Sequence, residues 1–190
     1  AISTIWVGAI TVAVSVYLFS TPIMVGLYTD GNAYSGQILG WLMLTFIPMS
    51  GGYVYGTLLT ANASLRPMNM IFAVGIVLNL ILNLILIPRY QALGAAMATF
   101  ATQTLTFLAQ LLLAQKLLEL DTNYKLILRI ILLAVLLIFT EWALQFWLPS
   151  TFWLVKFLLT ISAGGVLAFA LQLLDIKSWL QWLVVSNENL

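Results

Sequence analysis

The chain contains no cysteine and no histidine. Without thiols there is no thiolate nucleophile and no disulfide. Without imidazoles there is no proton relay near neutral pH, and the usual zinc ligands are missing altogether. Charge is scarce too: Lys and Arg number 7 and Asp and Glu 6, together 7% of 190 residues, for a net charge of +1. Such a balance offers no basic footprint for nucleic acid, so no nucleic-acid partner is expected. Only a few carboxylates and hydroxyls remain to carry chemistry. The expectation is a protein that is not an enzyme and has no metal and no cofactor.

What is abundant is apolar. Hydrophobic residues make up 63% of the chain, well above the roughly 45–50% of soluble globular domains. The fold class expected is all-α: a polytopic membrane helical bundle of about six transmembrane helices, plus a C-terminal interfacial amphipathic helix. The spans are placed at 2–19 with a short continuation to 28, then at 35–61, 68–87, 92–118, 124–148 and 151–174. Ser20-Thr21-Pro22 predicts a kink or restart, because proline lacks the N–H and crowds the preceding turn. Thr29-Asp30-Gly31-Asn32 reads as a turn without basic residues. Residues 1–174 form one bundle in this reading. In 175–190, Ile176, Trp179, Leu180, Leu183 and Val184 share one face of an amphipathic helix lying on the membrane surface.

Basic residues set the orientation. With the tail inside, Arg66, Lys116, Lys125, Arg129 and Lys177 fall on the cytoplasmic side, and Arg89 and Lys156 on the other. Both ends are therefore expected to be cytoplasmic, with the chain in the cytoplasmic (inner) membrane. Trp142, Trp147 and Trp153 gather near Pro149, as an interface belt does. The chain opens on Ala1 inside an apolar segment, without an initiating Met or basic leader. It is expected to be the C-terminal piece of a longer protein.

Polar residues inside apolar helices are the candidate functional groups, since hydrocarbon offers them no hydrogen-bond partner. Gly36/Gly40 and Gly52/Gly56 are small-xxx-small pairs with Pro48 between them. Pro48, Gly51 and Gly52 mark either tight helix packing or a hinge used in transport. Residues 75–103, GIVLNLILNLILIPRYQALGAAMATFATQ, read as a helical hairpin: an apolar run ends at Pro88, turns through Arg89, Tyr90 and Gln91, and restarts in small residues. Asn79 and Asn83 lie four apart on the first arm. Counted from a turn near Arg89, Asn79 comes level with Phe100, within reach of Thr99 or Gln103. Thr99, Gln103, Thr106 and Gln110 form one stripe on the second arm. These amides and hydroxyls either glue helices together or line a hydrophilic cavity. Glu141 and Lys156 fall at matching depth on adjacent spans, where they either pair or reach water separately.

The LNLILNLILIP helix, the short polar turn and LGAAMATFATQ resemble the C-terminal half of a polysaccharide-biosynthesis flippase, of the multidrug/oligosaccharidyl-lipid/polysaccharide exporter superfamily. The order of elements along the whole chain fits as well. The resemblance implies a transporter that moves lipid-linked oligosaccharide across the cytoplasmic membrane by alternating access. It implies two six-helix lobes, so the partners expected are the lipid bilayer, the lipid-linked oligosaccharide and a missing N-terminal lobe of the same chain. One alternative is a multidrug/cation antiporter of the same superfamily, for which Glu141 is the only acid far inside a span. The alternative from another class is a membrane-embedded glycosyltransferase or polymerase. The short loops here lack the acids such an enzyme uses.

Overall fold

A computed structural model describes residues 2–120, 123–149 and 152–173. All the regular secondary structure in them is helical. α1 (Ile2–Leu18) and α2 (Ser20–Leu27) meet at Phe19 and are bent 69° from one another. Pro22 is the cause. Its missing N–H leaves the Leu18 carbonyl without its helical donor, and its ring crowds that carbonyl, so the helix breaks one turn before the proline.

α3 (Ala33–Ala61) starts at a capping box: the Asn32 side chain accepts from the Ser35 N–H at 2.9 Å, and the Asn32 N–H donates to Ser35 Oγ at 2.9 Å. It continues through a buried Pro48 and ends where Ala63 turns left-handed (φ 55°), with the Ser64 N–H donating to the Leu59 carbonyl.

α4 (Leu65–Leu118) is helical throughout except at Gln91, where φ 51° and ψ −129° fold the chain back on itself. Its arms, 65–90 and 92–118, are antiparallel. Asn79 lies opposite Thr102, and Gly75 opposite Thr106. Each arm is roughly 39 Å long at 1.5 Å per residue, enough to cross ~30 Å of hydrocarbon. The hairpin expected at 75–103 is present, but its turn is tighter than Pro88 implied, because the helix runs on to Tyr90. Gly94 makes the tight turn possible: a Cβ there would strike the Leu86 carbonyl oxygen. A further device is Tyr34, at the start of α3. Its hydroxyl donates to the Tyr90 carbonyl (2.9 Å) and accepts from the Leu93 N–H (3.3 Å), serving two backbone groups that the break orphans.

α5 (Tyr124–Trp147) begins at Asn123, whose side chain accepts from the Leu126 N–H. α6 (Trp153–Ala170) stops short of the expected end at 174. Gln172 turns left-handed (φ 53°) and the Leu173 N–H closes on the Ala168 carbonyl. The amphipathic tail expected at 175–190 lies outside the described residues.

α1 is central, packed on α3, α5 and α6. Its Val7, Ile10 and Val14 meet Ile130, Leu133 and Leu137 of α5 and Ala168 of α6 in an aliphatic core. α3 packs on α1, α2 and α4. The first arm of α4 stands at the edge, and none of its side chains is buried. Outward faces are mostly apolar, as at Leu80, Leu84, Leu128, Val135 and Phe139, which suits lipid rather than water.

α3, α4, α5 and α6 are each long and apolar enough to cross a membrane, and the bent α1/α2 pair meets the same length and composition only when taken together, as a broken span or a re-entrant loop. With α4 counted as two arms and α1/α2 as one broken span, the described residues have the length and composition for six passes. The protein is an all-α, multi-pass membrane bundle, as the composition led one to expect. Turns alternate between two ends. The 28–32 loop, Gln91 and the start of α6 share one end: Tyr34 is bonded across the Gln91 break, and the Trp153 ring lies against Gly26.

Candidate functional site

α3 and the two arms of α4 enclose a cleft of about 420 Å³. Pro48, Gly52, Gly56, Thr57 and Thr60 form its α3 wall, Met68 and Phe72 come from the first arm, and Gln103, Thr106, Phe107 and Gln110 from the second. Three members of the stripe read from the sequence therefore meet two of the three Pro/Gly positions. Glycine is what lets them meet. A Cβ on Gly52 would stand 3.2 Å from Gln110 Oε1, and one on Gly56 3.8 Å from it, so the carboxamide lies flat against bare α3 backbone.

Gln110 is only 2% exposed, and its Oε1 has no hydrogen-bond partner. An orphaned buried carbonyl oxygen costs about 1–3 kcal/mol; Trp6 Nε1, Thr11 Oγ1 and Ser15 Oγ are likewise buried without a partner, but only Gln110 lines the cleft. The hydroxyls nearby are differently placed. Thr57 and Thr60 donate to the Val54 and Gly56 carbonyls of their own helix, both at 2.8 Å, so only their lone pairs remain for a ligand. No charged side chain lines the cleft. The arrangement therefore presents amides and hydroxyl lone pairs in a neutral setting, which suits a polar, uncharged group.

Other predicted site residues go elsewhere. Thr99 is not in the cleft; its hydroxyl donates to the Ala95 carbonyl at 2.9 Å. Asn79 and Asn83 face neither Thr99 nor Gln103. Asn79 Nδ2 donates to Thr102 Oγ1 (3.3 Å), Asn83 Nδ2 to Asn79 Oδ1 (2.9 Å), and Thr102 Oγ1 to the Ala98 carbonyl (2.8 Å). The correction has a geometric cause: a turn at Gln91 rather than near Arg89 slides the arms by about two residues, bringing Thr102 level with Asn79. Gly51 has no space for a side chain, since a Cβ would lie 2.5 Å from the Phe107 ring and 3.0 Å from Trp6. Packing alone accounts for that glycine. Trp6 and Phe107 meet edge to face at 5.6 Å, sealing the cleft's inner end towards α1.

Glu141 and Lys156 are not brought together. Lys156 is buried and its Nζ donates to the Pro149 carbonyl at 3.4 Å, while Glu141 accepts from Gln145 one turn on. The lysine turns along its own helix to the hairpin tip, where a free carbonyl is nearer than the carboxylate of α5. Among the described residues no group of three or more acids is placed to hold a metal ion.

Sequence reasoning missed Thr102 and Tyr34. Thr102 stands three residues after Thr99, beside the stripe of Thr99, Gln103, Thr106 and Gln110, and only the fold shows that it, rather than they, meets Asn79. Tyr34 follows the Asn32 cap, and only the fold shows that it reaches the Gln91 turn. No protein-family model and no curated protein matches this chain.

Proposed function

We propose that the chain is one lobe of a transporter that moves lipid-linked oligosaccharide across the cytoplasmic membrane by alternating access, with both ends of the described bundle on the cytoplasmic side. The observation that carries this reading is Gln110: a buried carboxamide with an unmet acceptor, set in a neutral cleft beside Gln103 and Thr106. Sugar hydroxyls are donors that need no counter-charge, and they fit such a wall. A cation antiporter needs an acid in its site. Glu141, the one acid deep in a span, is bonded to Gln145 and does not line the cleft.

In this reading the polar head group passes the cleft while its lipid remains in the bilayer, and a second lobe supplies the facing wall. Alternating access then opens the site to each side in turn. The test uses the full-length protein in a host lacking its own flippase. Gln103→Leu with Gln110→Met should cut surface polysaccharide by about tenfold, the equivalent of ~1.4 kcal/mol for two lost hydrogen bonds, at equal membrane abundance. Undiminished polysaccharide would remove the cleft from the transport path.

A further inference from the structure

Between the arms of the hairpin there is a second hollow, of about 540 Å³, lined by α4 alone and sharing only Thr106 with the α3–α4 cleft. Gly75 and Ala109 leave a trough between the arms, and Val74, Leu78, Leu105 and Leu112 form its rims. Val74 is 66% exposed and Leu112 64%. One charged residue lines the trough, Lys116, at the open end of the hairpin beside Pro67. From the level of Pro67 to that of Leu78 the trough runs roughly 16 Å along the helix axis. That is about half of the ~30 Å hydrocarbon core, the depth of one leaflet.

We infer that this trough is a binding site for one anionic phospholipid of the adjoining leaflet, with an acyl chain between the arms and its phosphate on the Lys116 ammonium. Three observations argue for that occupant. The trough is apolar along its length and cationic only at its mouth. It spans one leaflet and not two. Among the described residues Lys116 has no ion-pair partner, not even Glu119 one turn on, so its charge is available. Arg66, Lys125 and Arg129 lie at the same end of the bundle, raising the anionic lipid concentration there. A neutral lipid would fill the trough without using the lysine. The site shares only Thr106 with the α3–α4 cleft, and the inference does not depend on the transport reading.

The test is photo-crosslinking in nanodiscs. The full chain is reconstituted into phosphatidylcholine containing a trace of phosphatidylglycerol with a diazirine in its acyl chain, and labelled peptides are mapped by mass spectrometry. Labels should concentrate at 67–78 and 105–116. Lys116→Gln should cut phosphatidylglycerol labelling there about fivefold, the factor that ~1 kcal/mol of attraction per basic residue corresponds to. The same probe on phosphatidylcholine should be unaffected by that change. Ala109→Phe, which fills the trough, should abolish labelling by either lipid while leaving the helical circular dichroism intact. Labelling of the outer face of α5 equal to that of the trough, or labelling indifferent to Lys116→Gln, would overturn the site.

Discussion

Replacing Gln110 with methionine should make the protein more stable and less active. The side chain is 2% exposed, and Oε1 lies against Gly52 and Gly56 without a donor. A buried amide oxygen left unpaired costs about 1–3 kcal/mol, and methionine of similar length and flexibility removes that cost while keeping the volume. Gln110→Met should therefore raise unfolding free energy by ~1–3 kcal/mol in an SDS titration from mixed micelles followed by circular dichroism. Gly52→Ala supplies the control. Its Cβ would sit 3.2 Å from Oε1, so it should cost more in the native background than with Gln110→Ala, and the two changes should couple by about 0.5 kcal/mol or more. A loss of stability in Gln110→Met would mean that the carboxamide is already satisfied, and the case for an empty acceptor would fall. Unchanged transport alongside increased stability would leave an orphan without a use.

Tyr34→Phe removes the hydroxyl that serves both sides of the Gln91 break. It should cost about 1 kcal/mol, since water at this exposed tip replaces part of what is lost, and amide exchange at Leu93 should speed up. Gln91→Gly should instead stabilise the hairpin by ~1 kcal/mol, because φ 51° with ψ −129° strains any residue with a side chain; a destabilised variant would mean that the Gln91 side chain contributes more than its backbone costs. Orientation is open to cysteine labelling in a chain with no native cysteine. Asp30→Cys and Leu148→Cys should react with a membrane-impermeant thiol reagent from outside, and Ser64→Cys and Glu119→Cys only after permeabilisation; the reverse pattern would invert the topology.

The passes were legible because hydrocarbon imposes one requirement on every span, a long apolar run with its backbone bonds closed internally. Pro22 was legible because its effect is local. The register of the hairpin was not. Pro88 marks a turn, yet the helix carries on to Tyr90 since Gly94 and Tyr34 stabilise the break at Gln91 instead, and both act through space. A slip of two residues is enough to pair Asn79 with Thr102. The facing of Gln103, Thr106 and Gln110 was legible, but not what they face, because small-xxx-small pairs announce close approach without naming the partner helix. Matching depth for Glu141 and Lys156 likewise said nothing of rotation about each helix.

The amides of the hairpin divide into two kinds, and the division bears on how a site is held in a bilayer. Asn83, Asn79 and Thr102 pass donors in sequence until the last reaches the Ala98 carbonyl, so each is partnered within α4. Such interhelical bonds are worth about 0.6–2 kcal/mol in a membrane and hold the two arms in one register. Gln110, on the same hairpin two turns further from the tip than Thr102, belongs to no such chain. If burial of amides here served only cohesion, Gln110 would be joined to the network or to a hydroxyl of α3, for Thr57 and Thr60 line the same cleft. Both hydroxyls donate instead to their own helix. The locked pair of arms thus holds one unpaired acceptor against the glycine face of α3, and in the proposed transport reading a donor from outside the chain would complete it.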